Sequence, residues 1–188
     1  MSKLQDKLEQ YIMYPTNQDI LFDLGWEYEV IGQSAAAVGF YLKTCELGND
    51  LDLHYESLLR ISICFGKQGN RRWIQRSFLF RAISLAPKRP EAYYLLSKHY
   101  NEIGDWVESY TYAIMGDEIG TNIKGTRSYL TFQGKIGLKL LRAEGAFKTG
   151  LFDECKELYN EMKNDKRATP HFLELVEQTL KEKCDKYI

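Results

Sequence analysis

Glycines recur along this chain at nearly constant spacing, each at the end of the same local pattern. The segments ILFDLGWEYEVIGQSAAAVGFYLKTCELG, SLLRISICFGKQGN and AYYLLSKHYNEIGDWVESYTYAIMG align on Gly32, Gly69 and Gly104. Each runs from a large apolar residue to an apolar–small pair (Leu24-Gly25, Ile61-Ser62, Leu96-Ser97), then an aromatic (Tyr28, Phe65, Tyr100), then the glycine. A weaker fourth copy, LLRAEGAFKTGLFDECKELYNEM, places Gly150 in the same role, so the glycines are 37, 35 and 46 residues apart. Apolar residues at i, i+3 and i+7 form one stripe of a helix, and the small residue beside that stripe lets a second helix approach. Glycine then ends the first helix because it accepts the left-handed conformation cheaply. The second helix carries its own small residues, Ala37, Ser109 and Cys155, near the crossing point. Chains with such a period stack helical hairpins and bury a continuous core only through their neighbours.

Nothing competes with a helical reading. No Asn-Gly or Asp-Gly hairpin turn occurs, and period-two alternation is not sustained. Pro15, Pro87, Pro90 and Pro170 all fall where a helix begins or ends, with Pro90 and Glu91 suited to a first turn. The expected class is therefore all-α. A net charge of −1 and a pI near 6.3 provide no global basic field, so nucleic acid is not an expected partner. Four scattered cysteines (Cys45, Cys64, Cys155, Cys184) form no CxxC pair; neither a zinc site nor a disulfide scaffold is expected, and a reducing compartment is. No apolar run approaches the ~18 residues of a membrane span, and the N-terminus lacks a signal-peptide apolar stretch. Cytoplasmic localisation without membrane attachment is the expectation.

These residues resemble the tetratricopeptide repeat, two antiparallel helices in about 34 residues with small, aromatic and glycine positions in this order. The resemblance covers about residues 18–169 and implies a right-handed α-solenoid of about four hairpins. In that register the repeats lie near 18–51, 55–89, 90–123 and 136–169 of one domain, 1–188. Residues 1–14 and 170–188 would be capping helices, with Leu4, Leu8 and Ile12 on one buried stripe and Phe172, Leu173, Val176 and Leu180 on the other. Between the third and fourth repeats the register is interrupted at about residues 116–134. Tyr93, Leu96, Tyr100 and Trp106 hold signature positions and are expected in the core.

The resemblance also implies a concave groove lined by the first helix of each hairpin. Carried over position by position, its face would hold Asp19, Phe22, Trp26 and Glu29 from the first repeat. The second would add Glu56, Leu59, Ile63 and Lys67, and the third Glu91, Tyr94, Lys98 and Asn101. The competing reading packs Phe22 and Trp26 against the N-terminal helix. The family's clamp for heat-shock chaperone termini needs Lys and Asn where this chain has Phe22, Trp26, Leu59 and Ile63, so that ligand is not expected.

Other clusters have plainer explanations. KQGNRRWIQR gathers Arg71, Arg72 and Arg76 around Trp73 and could meet an anion, with the indole as stacking platform; the plainer expectation is a solvated turn with Trp73 folded back. Asp50-x-Asp52 has the spacing of a metal and nucleotide-sugar motif but lies in an inter-repeat turn, where Asn and Asp bond the local backbone. GTNIKGT, from Gly120, lacks the lysine of a phosphate-binding loop. His54, His99 and His171 are far apart and assemble no nucleophile–base–orienter set. No catalysis, metal or cofactor is expected.

A narrower resemblance joins RAISLAPKRPEAYYLLSKHYNEIGDWVESYTYAIMG, an irregular insert, and GKIGLKLLRAEGAFKTGLFDEC. Together they are similar to the repeat region attached to family 2 glycosyltransferases, which has stand-alone copies in large bacteriophages of marine bacteria. This implies a non-catalytic scaffold in glycan assembly, in the host cytoplasm if phage-encoded, whose partner is a protein or peptide such as a glycosyltransferase. The alternative is direct binding of a glycan or nucleotide sugar by the groove aromatics and the Arg71/Arg72/Arg76 patch. Homodimerisation through an end helix is left open.

Overall fold

The structure is a computed structural model that describes residues 3–48, 50–119, 134–166 and 168–185. The described residues form α-helices and turns, with no strand among them. They divide into two compact units. The first contains α1 (Lys3–Met13), α2 (Gln18–Val30), α3 (Ser34–Leu47), α4 (Leu51–Gly66) and α5 (Arg72–Leu85). The second contains α6 (Glu91–Ile103), α7 (Trp106–Ile119), α8 (Gly134–Lys148), α9 (Phe152–Lys163) and α10 (Pro170–Asp185). The α2/α3, α4/α5, α6/α7 and α8/α9 pairs are consecutive helical hairpins of the expected all-α class.

The hairpins turn where the sequence puts its glycines. Gly104 and Gly150 have φ of +79° and +85°, and Gly32 and Gly69 are also in the left-handed region, which a Cβ would disfavour. Side chains start the following helices. Asn17 accepts a hydrogen bond from the Ile20 N–H (3.1 Å), and Asp50 accepts from Asp52 (2.8 Å) and Leu53 (3.1 Å). Asp50 is thus the N-cap of α4, so this helix begins at Leu51, ahead of residue 55. GTNIKGT and most of the 116–134 interruption lie outside the described residues.

Within and between hairpins, the small positions set how closely helices approach. A Cβ on Gly25 would stand 2.6 Å from the Tyr41 ring, so α3 lays that ring directly on the α2 backbone. The third copy uses Ser97, whose hydroxyl donates to the Ser109 carbonyl (2.8 Å), joining α6 to α7 with no unsatisfied donor. On α8, a Cβ at Gly145 would meet Tyr110 Cβ at 2.8 Å. Apolar side chains close around these contacts: Leu21, Leu24, Leu58, Ile61 and Leu79 in the first unit, Leu96 and Leu138 in the second. Tyr93, Leu96 and Tyr100 are buried as expected, whereas Trp106 is only half-buried.

The two end helices differ from one another. Phe172, Val176 and Leu180 of α10 are buried one turn apart against Ala143, Ala146, Leu158 and Met162. None of the residues of α1 is fully buried, and Ile12 is exposed, contrary to the expected Leu4–Leu8–Ile12 stripe. The helix is rotated so that Lys7 and Tyr11 carry its attachment. Lys7 pairs with Asp23 (2.7 Å), and the Tyr11 ring meets Phe40 edge-on at 5.6 Å.

Gly25→Ala should lower unfolding stability by about 1–3 kcal/mol, because overpacking against Tyr41 outweighs the helix propensity of alanine. Gly39→Ala on α3, where an added Cβ meets nothing within 4 Å, should instead raise it by about 0.5–1 kcal/mol. Urea unfolding of the two variants checks both signs.

Candidate functional site

Two of the equivalent positions on the first helices behave alike in all three copies, and this divides the expected groove residues. Phe22, Leu59 and Tyr94 occupy one repeat position and are all buried. Phe22 packs against the Tyr41 ring at 5.5 Å. Glu56 and Glu91 are buried as well, and Glu91 is held by Arg89 (2.8 Å). These residues belong to the core and do not face a ligand, a correction with a simple cause. Phe22, Leu59 and Tyr94 stand one turn before Gly25, Ser62 and Ser97, and Glu56 and Glu91 one turn further back, so the buried stripe of the small residue takes them in. The next position, Trp26, Ile63 and Lys98, is half-exposed in all three copies, while Asp19 and Lys67 are exposed.

In the first unit Lys67 and Trp26 belong to a cluster built on a buried carboxylate, Glu29. Arg60 on α4 engages Glu29 on α2 with two donors, Nε at 2.9 Å to Oε2 and Nη2 to Oε1. Lys67, the residue that follows α4, donates to Oε1 at 3.0 Å, and the Tyr41 hydroxyl on α3 donates to Oε2 at 3.2 Å. The other side of Arg60 faces the Trp26 ring, 4.6 Å from its centroid. Arg60 is therefore sandwiched between an indole and a carboxylate. Sequence reading did not single out Arg60; the available signal was its i, i+7 relation to Lys67, opposite the Trp26–Glu29 pair.

This geometry sets the chemistry. Burial acts to raise the Glu29 pKa, but the hydrogen bonds and charges of Arg60 and Lys67 prevail and hold it below its ordinary 4.5. Burial, reinforced by Glu29, raises the Tyr41 phenol well above its usual value. A carboxylate with both oxygens bonded and a phenol that retains its proton are poor proton-transfer groups near neutrality. What remains toward solvent is Trp26 and Ile63, both half-exposed, and the Lys67 side chain.

The second unit presents Lys98 and Asn101 on α6. Asn101 donates to Glu144 on α8 (3.0 Å), and Lys183 from α10 pairs with the same carboxylate at 3.5 Å. A shallow open hollow lies by the α6–α7 and α8–α9 turns, lined by Ile103, Asp105, Trp106, Val107, Lys148 and Thr149. The Lys148 ammonium lies over the Trp106 ring at 4.8 Å, so one indole face is already occupied.

The arginine cluster sits at the start of α5. Arg71 and Arg72 are exposed and Arg76 is half-buried, with the Arg71 guanidinium 5.9 Å from the Phe65 ring. Trp73 is exposed, so the expectation that it folds back is corrected. Among the described residues, no group of three His, Cys, Asp or Glu could hold a metal ion, and no helix is long and apolar enough to cross a membrane.

Two tests follow. Because its folded pKa is depressed, Glu29 contributes fully above pH 4.5, and that stability is lost as pH falls through the lower folded value. Glu29→Gln, which leaves Arg60 buried beside a neutral group, should cost about 3–5 kcal/mol at pH 7 and flatten the acid limb of stability, as read by urea unfolding between pH 7 and pH 3. Burial raises the Cys45 and Cys64 thiols to about 12, with Glu29 adding to the effect on Cys64. Both, with buried Cys155, should resist a thiol-reactive disulfide reagent at pH 8 in the folded protein and react in denaturant.

No protein-family model matches the chain, and no curated protein is significantly similar to it. Solved structures do resemble it in fold. MamA is 19% identical, with 85% of this chain and 84% of that one aligned and a TM-score of 0.65. PilW, a type IV pilus biogenesis factor, is 16% identical over 92% of this chain and 73% of its own, with a TM-score of 0.69. The tetratricopeptide-like repeats of a Podosopora anserina putative kinesin light chain are 14% identical over 92% of both chains, with a TM-score of 0.59. The fold is that of a tetratricopeptide-type helical repeat.

Proposed function

We propose that the chain is a non-catalytic interaction module that binds a peptide segment or partner protein on the first helices of its hairpins. The observation that carries this reading is the half-exposed repeat position, Trp26, Ile63 and Lys98. Beside Trp26 and Ile63 lie Arg60 and Lys67, positioned by Glu29. Held in this way, the surface loses little side-chain freedom when a partner binds. Its charge comes from residues already paired internally, which makes it better suited to recognition than to catalysis. The similarity of residues 81–116 and 134–155 to repeats attached to family 2 glycosyltransferases supports a partner from glycan assembly. The alternative, direct binding of a glycan or nucleotide sugar near Arg71, Arg72 and Arg76, draws support from the exposure of Trp73.

Affinity capture of the tagged protein from its native cells, with mass spectrometry, tests the choice beside the variant Trp26→Ala/Lys98→Glu. Recovery of a glycosyltransferase by the wild type, reduced at least tenfold in the variant, is the expected result. If no protein is retained and millimolar UDP-glucose raises the melting temperature by several degrees, the alternative replaces it.

A further inference from the structure

The charges of this nearly neutral chain are segregated along it. Residues 57–90 contain eight Lys or Arg and no Asp or Glu, whereas residues 101–119 contain five Asp or Glu and no Lys or Arg. The first stretch includes α5 and the second α7, and each of these helices has an exposed face of unusual composition.

On α5 that face carries Trp73, Ser77, Phe80 and Ser84, spaced four, three and four residues apart as in the seam of a packed helix pair. Trp73 is 65% exposed and Phe80 41%, so two large rings alternate with two small side chains. The serines add no polar cost to covering this seam. Ser77 Oγ donates to the Trp73 carbonyl and Ser84 Oγ to the Phe80 carbonyl, each at 2.9 Å, so neither hydroxyl donor would be stranded. Arg72 and Arg76 flank one side of the seam and Arg81 the other.

On α7 the outer face repeats the spacing with Val107, Thr111, Ile114 and Glu118, and Met115 alongside. Val107 is 63% exposed and Met115 45%. Thr111 Oγ1 donates to the Val107 carbonyl at 2.8 Å, the same internal satisfaction as in the α5 serines. Glu118 supplies charge at the end of this line and Glu108 at its margin. Apolar knobs of moderate size therefore lie beside carboxylates, the counterpart of large rings and small gaps beside guanidiniums.

We propose that the protein self-associates by docking the α5 face of one copy on the α7 face of another. Two α5 faces would bring arginine against arginine, and two α7 faces carboxylate against carboxylate; only the mixed pairing is attractive. Where two copies exchange both contacts at once the result is a closed two-fold dimer, and where they do not it is a ring or a chain of copies. It involves neither Trp26 nor Lys98 and does not depend on the partner reading above.

Sedimentation velocity of the full chain from about 1 to 200 μM, at 50 mM and 500 mM NaCl, tests this proposal. The expected result is a sedimentation coefficient that rises with concentration, with an apparent Kd at least several-fold weaker at high salt. Trp73→Ala should weaken association at least tenfold. Arg72→Glu/Arg81→Glu and Glu108→Lys/Glu118→Lys should each sediment as monomers, with unchanged helical circular dichroism, and form a complex when mixed. A wild type that stays monomeric throughout overturns the proposal, as does association that persists in both charge-reversed variants or fails to return on mixing. Binding of a dT oligonucleotide or phosphatidylglycerol vesicles by a wild type that remains monomeric overturns it in favour of an anionic ligand for α5.

Discussion

The missing side chain at Gly25 allows the Tyr41 ring to lie against the backbone of α2, and much of the first unit depends on that approach. With the ring held there, its hydroxyl reaches Glu29, which also receives Arg60 from α4 and Lys67 from just after it. One carboxylate thereby ties three helices together, and Trp26 covers the guanidinium it holds. Steric permission at a single residue is converted into a fixed electrostatic arrangement. Such a buried arrangement confers specificity only when every member is satisfied, and here both Glu29 oxygens are.

The second unit reaches a comparable result with different residues. Ser97 and Ser109 join α6 to α7 through a hydroxyl and a carbonyl, while Gly145 brings the α8 backbone against Tyr110. Arg142 on α8 lies between Asp117 on α7 and Glu154 on α9 at 3.3 Å and 2.6 Å, and Tyr110 donates to the same Glu154 at 2.5 Å. In both units an arginine from one helix bridges its neighbours and a tyrosine completes the carboxylate.

Charge has two roles in this protein. Part is enclosed and paired, as at Glu29 and Asp117, where it orients helices and holds Lys67 and Arg142. Part is left outside and sorted by sign, basic along α5 and acidic along α7. The first kind is tied to one geometry and contributes little to long-range attraction. The second costs the fold little, because exposed charges stay hydrated, and leaves surfaces whose sign a partner can read.

The sequence by itself determined the class of fold. The apolar–small pairs, the aromatics that follow and the glycines at positions 32, 69, 104 and 150 are local instructions, since helix periodicity and positive φ depend on few neighbours. That Asp50 bonds the local backbone was similarly legible from its place in a turn, though not that it starts α4 at Leu51. Tertiary structure decided which side chains reach solvent. Phe22 and Trp26 lie one turn apart on the same helix, yet α3 covers the first and leaves the second half-open; Ile12 and Trp73 are apolar yet exposed because no neighbouring helix covers them. Arg60 gains its importance only when α2 and α4 are side by side, because a salt bridge spanning 31 residues of sequence has no local signature. Periodicity specifies a helix and its core stripe, but the rotation of that helix against its neighbours, which separates core from surface, is settled by packing.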